Sequence, residues 1–241
     1  MKKARMLKEG ARQLGLELEA GQIGLFGAYF DELKKWNKKA GLTSIVEEEE
    51  VISGHFLDSL SCLASNRIGP FSNMIDLGAG AGLPGIPLKI VYPSLSLTLI
   101  DSSKKKARFL EFLVKRLGLD GTEVVCQRAE EFAQVSSNRE SYDIVVTRAV
   151  AGLPVLLEYS LPLLKSGGLL IAQKGKIDPK ELEQGRKAAS IMGGKIDEVI
   201  NIDVPFLVGE RHLIIAEKQA ATPLEFPRRP GVPGKRPLGQ D

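Results

Sequence analysis

The sequence predicts an α/β protein: a mostly parallel sheet with helices on both faces and a helical segment ahead of it. Three observations point there. From about Asn73, short apolar runs alternate with amphipathic stretches; the runs are apolar throughout, as in strands buried on both faces; and a glycine-rich turn follows the first of them. With 241 residues, 43% hydrophobic and 26% charged, the chain is long enough for one sizeable core. One large domain with an appendage is expected. The divisions are a helical extension at 1–66 packed on the core, a main domain at 67–218 and a basic, proline-rich tail at 219–241.

In the first region Ile23, Phe26, Phe30 and Leu33 fall on one helical face. Val51, Ile52, His55, Phe56, Ser59, Leu60 and Leu63 repeat the pattern behind Glu47–Glu50, whose carboxylates suit the positive end of a helix dipole. His55 reads as a hydrogen-bonded core histidine, with a chemical role left open. In the second region strands are expected at Asn73–Leu77, Leu95–Asp101, Glu123–Gln127, Tyr142–Thr147 and Leu169–Lys174. Helical patterns fill Pro87–Tyr92, Lys104–Leu117, Pro154–Lys165 and Pro179–Met192. The second is the clearest, with Phe109, Leu110, Leu113 and Leu117 on one face and Lys105, Arg108, Glu111 and Lys115 on the other. Ile196–Val204 and His212–Lys218, parted by Pro205 and Gly209, read as an antiparallel pair that closes the sheet. The last 20 residues hold five of the 13 prolines together with Arg228, Arg229, Lys235 and Arg236. Such a stretch is expected to form neither a helix nor an interior strand. It is either a flexible surface tail or a basic arm that lies along phosphates.

Composition removes several kinds of chemistry. Cys62 and Cys126 lie 64 positions apart, which suits neither a disulfide framework, a zinc site nor iron–sulfur ligation. His55 and His212 are the only histidines, so no metal is assigned. The longest uncharged run, Leu77–Leu88, has 12 residues with four glycines and two prolines, short of the ~18 apolar residues of a membrane span. Glu9, Glu17 and Glu19 interrupt what would be the apolar core of a signal peptide, so a cytoplasmic protein with no membrane partner is expected. The net charge of +3 fits nucleic-acid contact without requiring it.

The chemistry sits in Ile75-Asp76-Leu77-Gly78-Ala79-Gly80-Ala81-Gly82-Leu83-Pro84-Gly85, between a strand and a helix. Glycines there allow a tight turn and close approach of a ligand. Gly80, Gly82 and Gly85 match a dinucleotide fingerprint, a weak signal alone. Two details favour S-adenosylmethionine instead. Gly85 stands between Pro84 and Pro87, which belong in a loop or first helical turn rather than deeper in a helix. Asp76 sets a carboxylate at the strand end, unwelcome beside pyrophosphate but suited to ammonium and sulfonium cations. Asp101, 23 residues after Gly78, can accept both ribose hydroxyls of an adenosine, or can cap the next helix, as Ser102 and Ser103 also can. Arg128-Ala129-Glu130 follows the third strand, where an adenine edge would lie.

Asp76 to Gly82, Asp101, Ala129-Glu130 and the Leu161–Gly168 turn resemble a class I methyltransferase. More narrowly, the chain resembles the small-subunit ribosomal RNA methyltransferase G family, also called glucose-inhibited division protein B. Trp36-Asn37 with Leu42–Ile45, His55–Leu60, the GAGAGLPGIPL loop, Val146–Ala149 and Phe226–Lys235 carry the likeness over nearly the whole chain. Gly41 and Phe226 depart from it, the family usually having Asn and Tyr there. The resemblance implies a Rossmann-like, seven-stranded, mostly parallel sheet with an antiparallel last strand and an N-terminal helical extension. It implies S-adenosylmethionine as cofactor, held by Asp76, Gly78, Gly80, Gly82, Leu83, Asp101, Ser102, Ser103, Ala129, Glu130 and Arg148.

It also implies methylation of guanosine N7 in a hairpin loop of 16S ribosomal RNA, with the small ribosomal subunit as partner; a monomer is expected. The residues agree largely by what they lack. The fourth strand ends in Thr147-Arg148-Ala149-Val150 rather than an Asp- or Asn-Pro-Pro-aromatic turn for amine methylation, and neither cysteine sits in a Pro-Cys turn for C5 methylation. Guanine N7 carries a free lone pair and needs no base, so alignment would supply catalysis. Arg148 is the one candidate for a catalytic role, gripping a phosphate or guanine O6. Lys174, Arg211, Arg228, Arg229, Lys235 and Arg236 are candidate RNA contacts. The rival readings are a methyltransferase acting on a small molecule or protein and a binding module without cofactor.

Overall fold

The computed structural model describes residues 2–239. Its apolar runs form β1 (Asn73–Leu77), β2 (Ser96–Ile100), β3 (Thr122–Val125), β4 (Tyr142–Arg148), β5 (Leu164–Lys174), β6 (Gly194–Asn201) and β7 (His212–Lys218). They pair in the order β3-β2-β1-β4-β5-β7-β6. β1 to β5 are parallel to one another, and β7 runs antiparallel to both β5 and β6. This is the mostly parallel sheet with an antiparallel last strand that the sequence predicts.

The strands are apolar on both sides because both sides are covered. Met74, Leu97, Ile144 and Ile171 face one core, and Ile75, Val145, Leu170 and Ile214 face the other. The first core is closed by α1 (Lys2–Gln13), α2 (Ala20–Ala40), α3 (Glu48–Val51), a π-helical turn (Ile52–Leu57), α4 (Asp58–Leu60), α5 (Gly85–Val91) and α6 (Lys104–Leu117). The second is closed by α7 (Ala129–Gln134), α8 (Leu153–Ser160) and α9 (Pro179–Ile191). Aromatic rings tie the helices ahead of the sheet to one another: Phe26 and Tyr29 of α2 each lie 5.1 Å from Phe56 of the π-helical turn, and all three are buried. Burying each such ring stabilises by about 1.5–3 kcal/mol. α6 starts where Ser103 accepts from the Lys106 amide and stops at Gly118, whose φ of 64° ends the helix.

Several boundaries differ from expectation, for local reasons. β5 begins at Leu164 rather than Leu169, because Leu164 pairs with Tyr142 across a register shift. The helix expected to reach Lys165 ends at Ser160 and tightens into a 3₁₀ turn at Leu161–Leu163, with Pro162 inside it. α7 went unpredicted, since six residues are too few to display a helical period. The tail does form a helix, the single turn α10 (Val232–Lys235), which Pro233 fits because proline suits a helix's first turn. The tail is also docked. Arg139 donates to the Phe226 carbonyl at 2.7 Å and the Thr222 carbonyl at 2.6 Å, and Gln134 donates to the Pro227 carbonyl.

β1 lies between β2 and β4, so the chain moves outward first on one side of it and then on the other. In such sheets the crevice beyond the carboxyl ends of the strands receives ligands.

Candidate active site

The turn after β1 is shaped by three left-handed glycines, Gly78, Gly80 and Gly82, with φ of 72°, 59° and 94°. A Cβ on Gly82 would lie 2.5 Å from Ile86 and 3.0 Å from the Tyr29 hydroxyl. That hydroxyl, fully buried, donates to the Ala81 carbonyl at 2.5 Å and so pins the turn to α2. Asp76 lies beneath the turn. Its Oδ2 accepts from the Gly85 amide at 2.8 Å, while its Oδ1 is buried without a partner. Burial pushes this carboxyl up to about 7, an effect the Gly85 amide and Arg148 only partly offset.

Beyond the turn opens a cleft of about 470 Å³, within the about 300–1,000 Å³ of small-molecule sites. Gly78, Asp101, Ser102, Ala129 and Glu130 line it together with Val150, Tyr159 and Gly234. Asp101, at the head of β2, accepts from the Ser103 amide at 2.8 Å and the Gly80 amide at 3.0 Å. Glu130, at the start of α7, is buried and accepts from the Gly231 amide at 2.9 Å. At Tyr159, which also lines the cleft, burial and then the negative charge of Glu130 push the hydroxyl up to about 12. The tail therefore builds one wall of the cleft.

A second cluster stands at the heads of β4 and β7. Asp58 of α4 accepts from Arg148 at 2.8 Å and from Arg211 at 3.2 Å. Arg148 also donates to the Gly54 carbonyl in the π-helical turn at 3.0 Å. His55 places Nδ1 2.9 Å from the Gly54 carbonyl, which assigns the proton to that nitrogen, so Nε2 accepts from the Thr43 hydroxyl at 2.8 Å. Burial and then Arg148 push His55 down to about 4, keeping the ring neutral. Asn37 accepts from the amides of Leu42 and Thr43 and so fixes the Thr43 loop.

Comparison with known proteins places this arrangement. The profile of the family described as rRNA small subunit methyltransferase G matches residues 22–214. The chain belongs to the rRNA small subunit methyltransferase G family. Over 238 residues it is 44% identical to the ribosomal RNA small subunit methyltransferase G of Alkaliphilus metalliredigens, spanning 99% of this chain and 100% of that one. Identity to the protein of the same name from Acetivibrio thermocellus is 45% over 238 residues, spanning 99% and 98%. A solved structure of precorrin-6y C5,15-methyltransferase from Geobacter metallireducens shares the fold at a TM-score of 0.50 and 17% identity, over 66% of this chain and 88% of that one. A methyltransferase of the G family takes S-adenosylmethionine as its methyl donor, and the cleft fits that group. The orphaned Asp76 oxygen suits a cation. Asp101 presents two carboxylate oxygens, each with a lone pair left after one amide bond.

The residues predicted for the cofactor separate into two groups. Gly78, Asp101, Ser102, Ala129 and Glu130 line the cleft. Asp76, Gly80, Gly82, Leu83 and Ser103 support it from behind; Leu83 packs in the first core, and Ser103 caps α6. Arg148 is not among the lining residues and is held by Asp58 and Gly54. Among the predicted RNA contacts, Arg228 forks onto the fully buried Glu158, with Nη2 2.6 Å from Oε2. Lys174 pairs with Glu181 at 2.8 Å, and Arg211 with Asp58. Arg229, Lys235 and Arg236 are exposed. Sequence reasoning missed Tyr29, Asp58, Tyr159 and the Gly231–Gly234 wall. Tyr29 had a signal, since it follows Phe26 by three positions on the apolar face of α2. The tail wall had a family-specific motif at Phe226–Lys235 but nothing that placed it beside the cleft.

Proposed function

We propose that the protein transfers the methyl group of S-adenosylmethionine to N7 of a guanosine in a hairpin loop of 16S ribosomal RNA, with N7 attacking in line. S-adenosylmethionine supplies an electrophilic methyl on a positively charged sulfur. The observation that favours N7 is the head of β4, whose polar side chains are donors. Thr147 donates to the Leu77 carbonyl at 3.1 Å, and Arg148 donates to Asp58 and Gly54. Neither is set to take a proton, and His55 has both ring nitrogens engaged. Cys62 is buried and its thiol pushed up by burial, so it is no nucleophile. Such a site suits an acceptor that arrives with a free lone pair and nothing to deprotonate.

The side chains then hold and orient. Asp101 takes the ribose hydroxyls, Glu130 and Ala129 border the adenine, and Asp76, beneath the glycine turn, lends negative charge to the cationic end of the donor. Arg148 can turn a guanidinium edge toward guanine O6 or a phosphate, and the exposed Arg229, Lys235 and Arg236 beside Gly234 suit the RNA backbone. Alignment of this kind is worth ~7–11 kcal/mol of barrier.

Two measurements test the reading. Calorimetric titration should show S-adenosylmethionine binding that Gly80→Asp abolishes; tight NAD binding in its place overturns the cofactor assignment. Nuclease digestion and mass spectrometry of methylated 16S RNA should find 7-methylguanosine. Methyl on an exocyclic nitrogen or on C5 overturns the N7 assignment.

A further inference from the structure

The chain's positive charge is concentrated. α2 and α6 together carry ten Lys and Arg against three carboxylates, a net charge of +7 in a chain whose total is +3. Everything outside these two helices is therefore net acidic. The helices pack side by side, with Trp36 of α2 lying 5.6 Å from Phe109 and 5.4 Å from Phe112 of α6. Across the same seam, buried Glu32 lies 2.9 Å from Lys35 and 3.7 Å from Arg116. That carboxylate accounts for two of the cations. Lys38, Lys39, Lys104, Lys105, Arg108 and Lys115 are exposed and have no ion-pair partner among the described residues.

Local folding does not ask for this distribution. Lys104, Lys105 and Lys106 occupy the first turn of α6, which contains no acidic residue, and there they oppose the helix dipole. Lys106 has Asp101 at 3.6 Å and lines the cleft, so the basic surface begins at the cleft rim. From there α6 runs 14 residues, about 21 Å. Phe112 remains 38% exposed among these cations, a flat apolar ring of the kind on which a base or ribose packs.

We propose that the joined outer faces of α2 and α6 dock the phosphate backbone of the RNA substrate, guiding it from this flank to the cleft. The inference rests on the RNA reading above and adds a surface separate from both the tail and the cofactor pocket. RNA fits better than an acidic protein because unpaired cations on two packed helices accompany an exposed aromatic ring, as backbone contact with stacking requires.

The test uses the full chain, protein-free 16S RNA as probe, and a variant carrying Lys38→Glu, Lys39→Glu, Lys105→Glu and Arg108→Glu. A milder variant with Gln at the same positions guards against misfolding, and thermal melts compare the two. RNA affinity should fall more than tenfold at low salt, and the slope of log affinity against log salt should flatten by roughly 0.7–0.9 for each phosphate no longer neutralised. S-adenosylmethionine affinity should stay the same. Phe112→Ala should weaken RNA binding several-fold with no change in slope. An unchanged RNA affinity and slope in both charge variants overturns this proposal alone. Loss of binding to polyglutamate with RNA binding intact assigns the face to an acidic protein and overturns it likewise. Failure of the unaltered chain to bind RNA at all overturns the RNA reading and this proposal together.

Discussion

Two carboxylates near the same edge of the sheet are provided for in opposite ways. Asp58 has a guanidinium on each oxygen, Arg148 on Oδ2 and Arg211 on Oδ1. Asp76 has one backbone amide on Oδ2 and nothing on Oδ1. The first is a clamp: it joins α4, β4 and the start of β7, and little capacity is left. The second is a buried group short of positive charge, which on the proposed reading gains when the cationic donor arrives. Residue type alone does not separate the two roles. The supply of partners does.

The largest effect expected is loss of the clamp. Asp58→Ala leaves two cations facing each other without their counter-ion and should cost about 3–5 kcal/mol, read as a drop in thermal midpoint. A loss under about 1 kcal/mol would show that the arginines find other partners and the clamp is dispensable. Next comes the amide that does serve Asp76. Gly85→Ala would set a Cβ 2.8 Å from Asp76 Oδ2 and 2.9 Å from Leu99, so roughly 1–3 kcal/mol of stability should be lost, and donor affinity with it.

The third prediction concerns pH. Asp76 is raised from 3.8 to about 7, so between those values the folded chain binds more protons than the unfolded one. Stability from this group is full below about pH 4 and declines as pH rises to about 7; the advantage of Asp76→Asn over the unsubstituted protein should widen across that window. His55, lowered from 6.5 to about 4, acts in the opposite direction, losing stability as pH falls from about 6.5 toward 4. A cationic donor favours ionised Asp76, so its binding should release a proton and strengthen by up to about tenfold per pH unit toward pH 7. Calorimetry in two buffers of different ionisation enthalpy reads that proton, and Asp76→Asn should abolish it. The smallest effect is expected at Gly80. A Cβ there would meet only the Gly78 carbonyl, at 3.6 Å, so Gly80→Ala should cost about 1–2 kcal/mol, from the left-handed φ alone.

Elements that announce themselves locally were legible in the sequence. β1 was read at Asn73–Leu77 and α6 at Lys104–Leu117, because apolar periodicity and a serine or glycine cap mark their ends. The glycine turn was legible for the same reason, and Asp101 because it stands at the end of a legible strand. What stayed hidden depends on partners far along the chain. Arg228 looks like a solvated phosphate contact until Glu158, 70 positions away, is seen beneath it. Asp58 reads as one polar residue on a helical face, and only folding brings it Arg148 and Arg211 from 90 and 153 positions away. Proline and arginine composition suggested an open tail because it says nothing of Arg139, which holds the tail down.

That docked tail has a consequence for synthesis. Gly231 and Gly234, which complete the cleft, are translated after every strand of the sheet. A nascent chain can therefore finish its scaffold while the cavity still gapes on one side. On the proposed reading, the wall that Gly231 and Gly234 give the donor cleft is therefore added after the sheet that supports it.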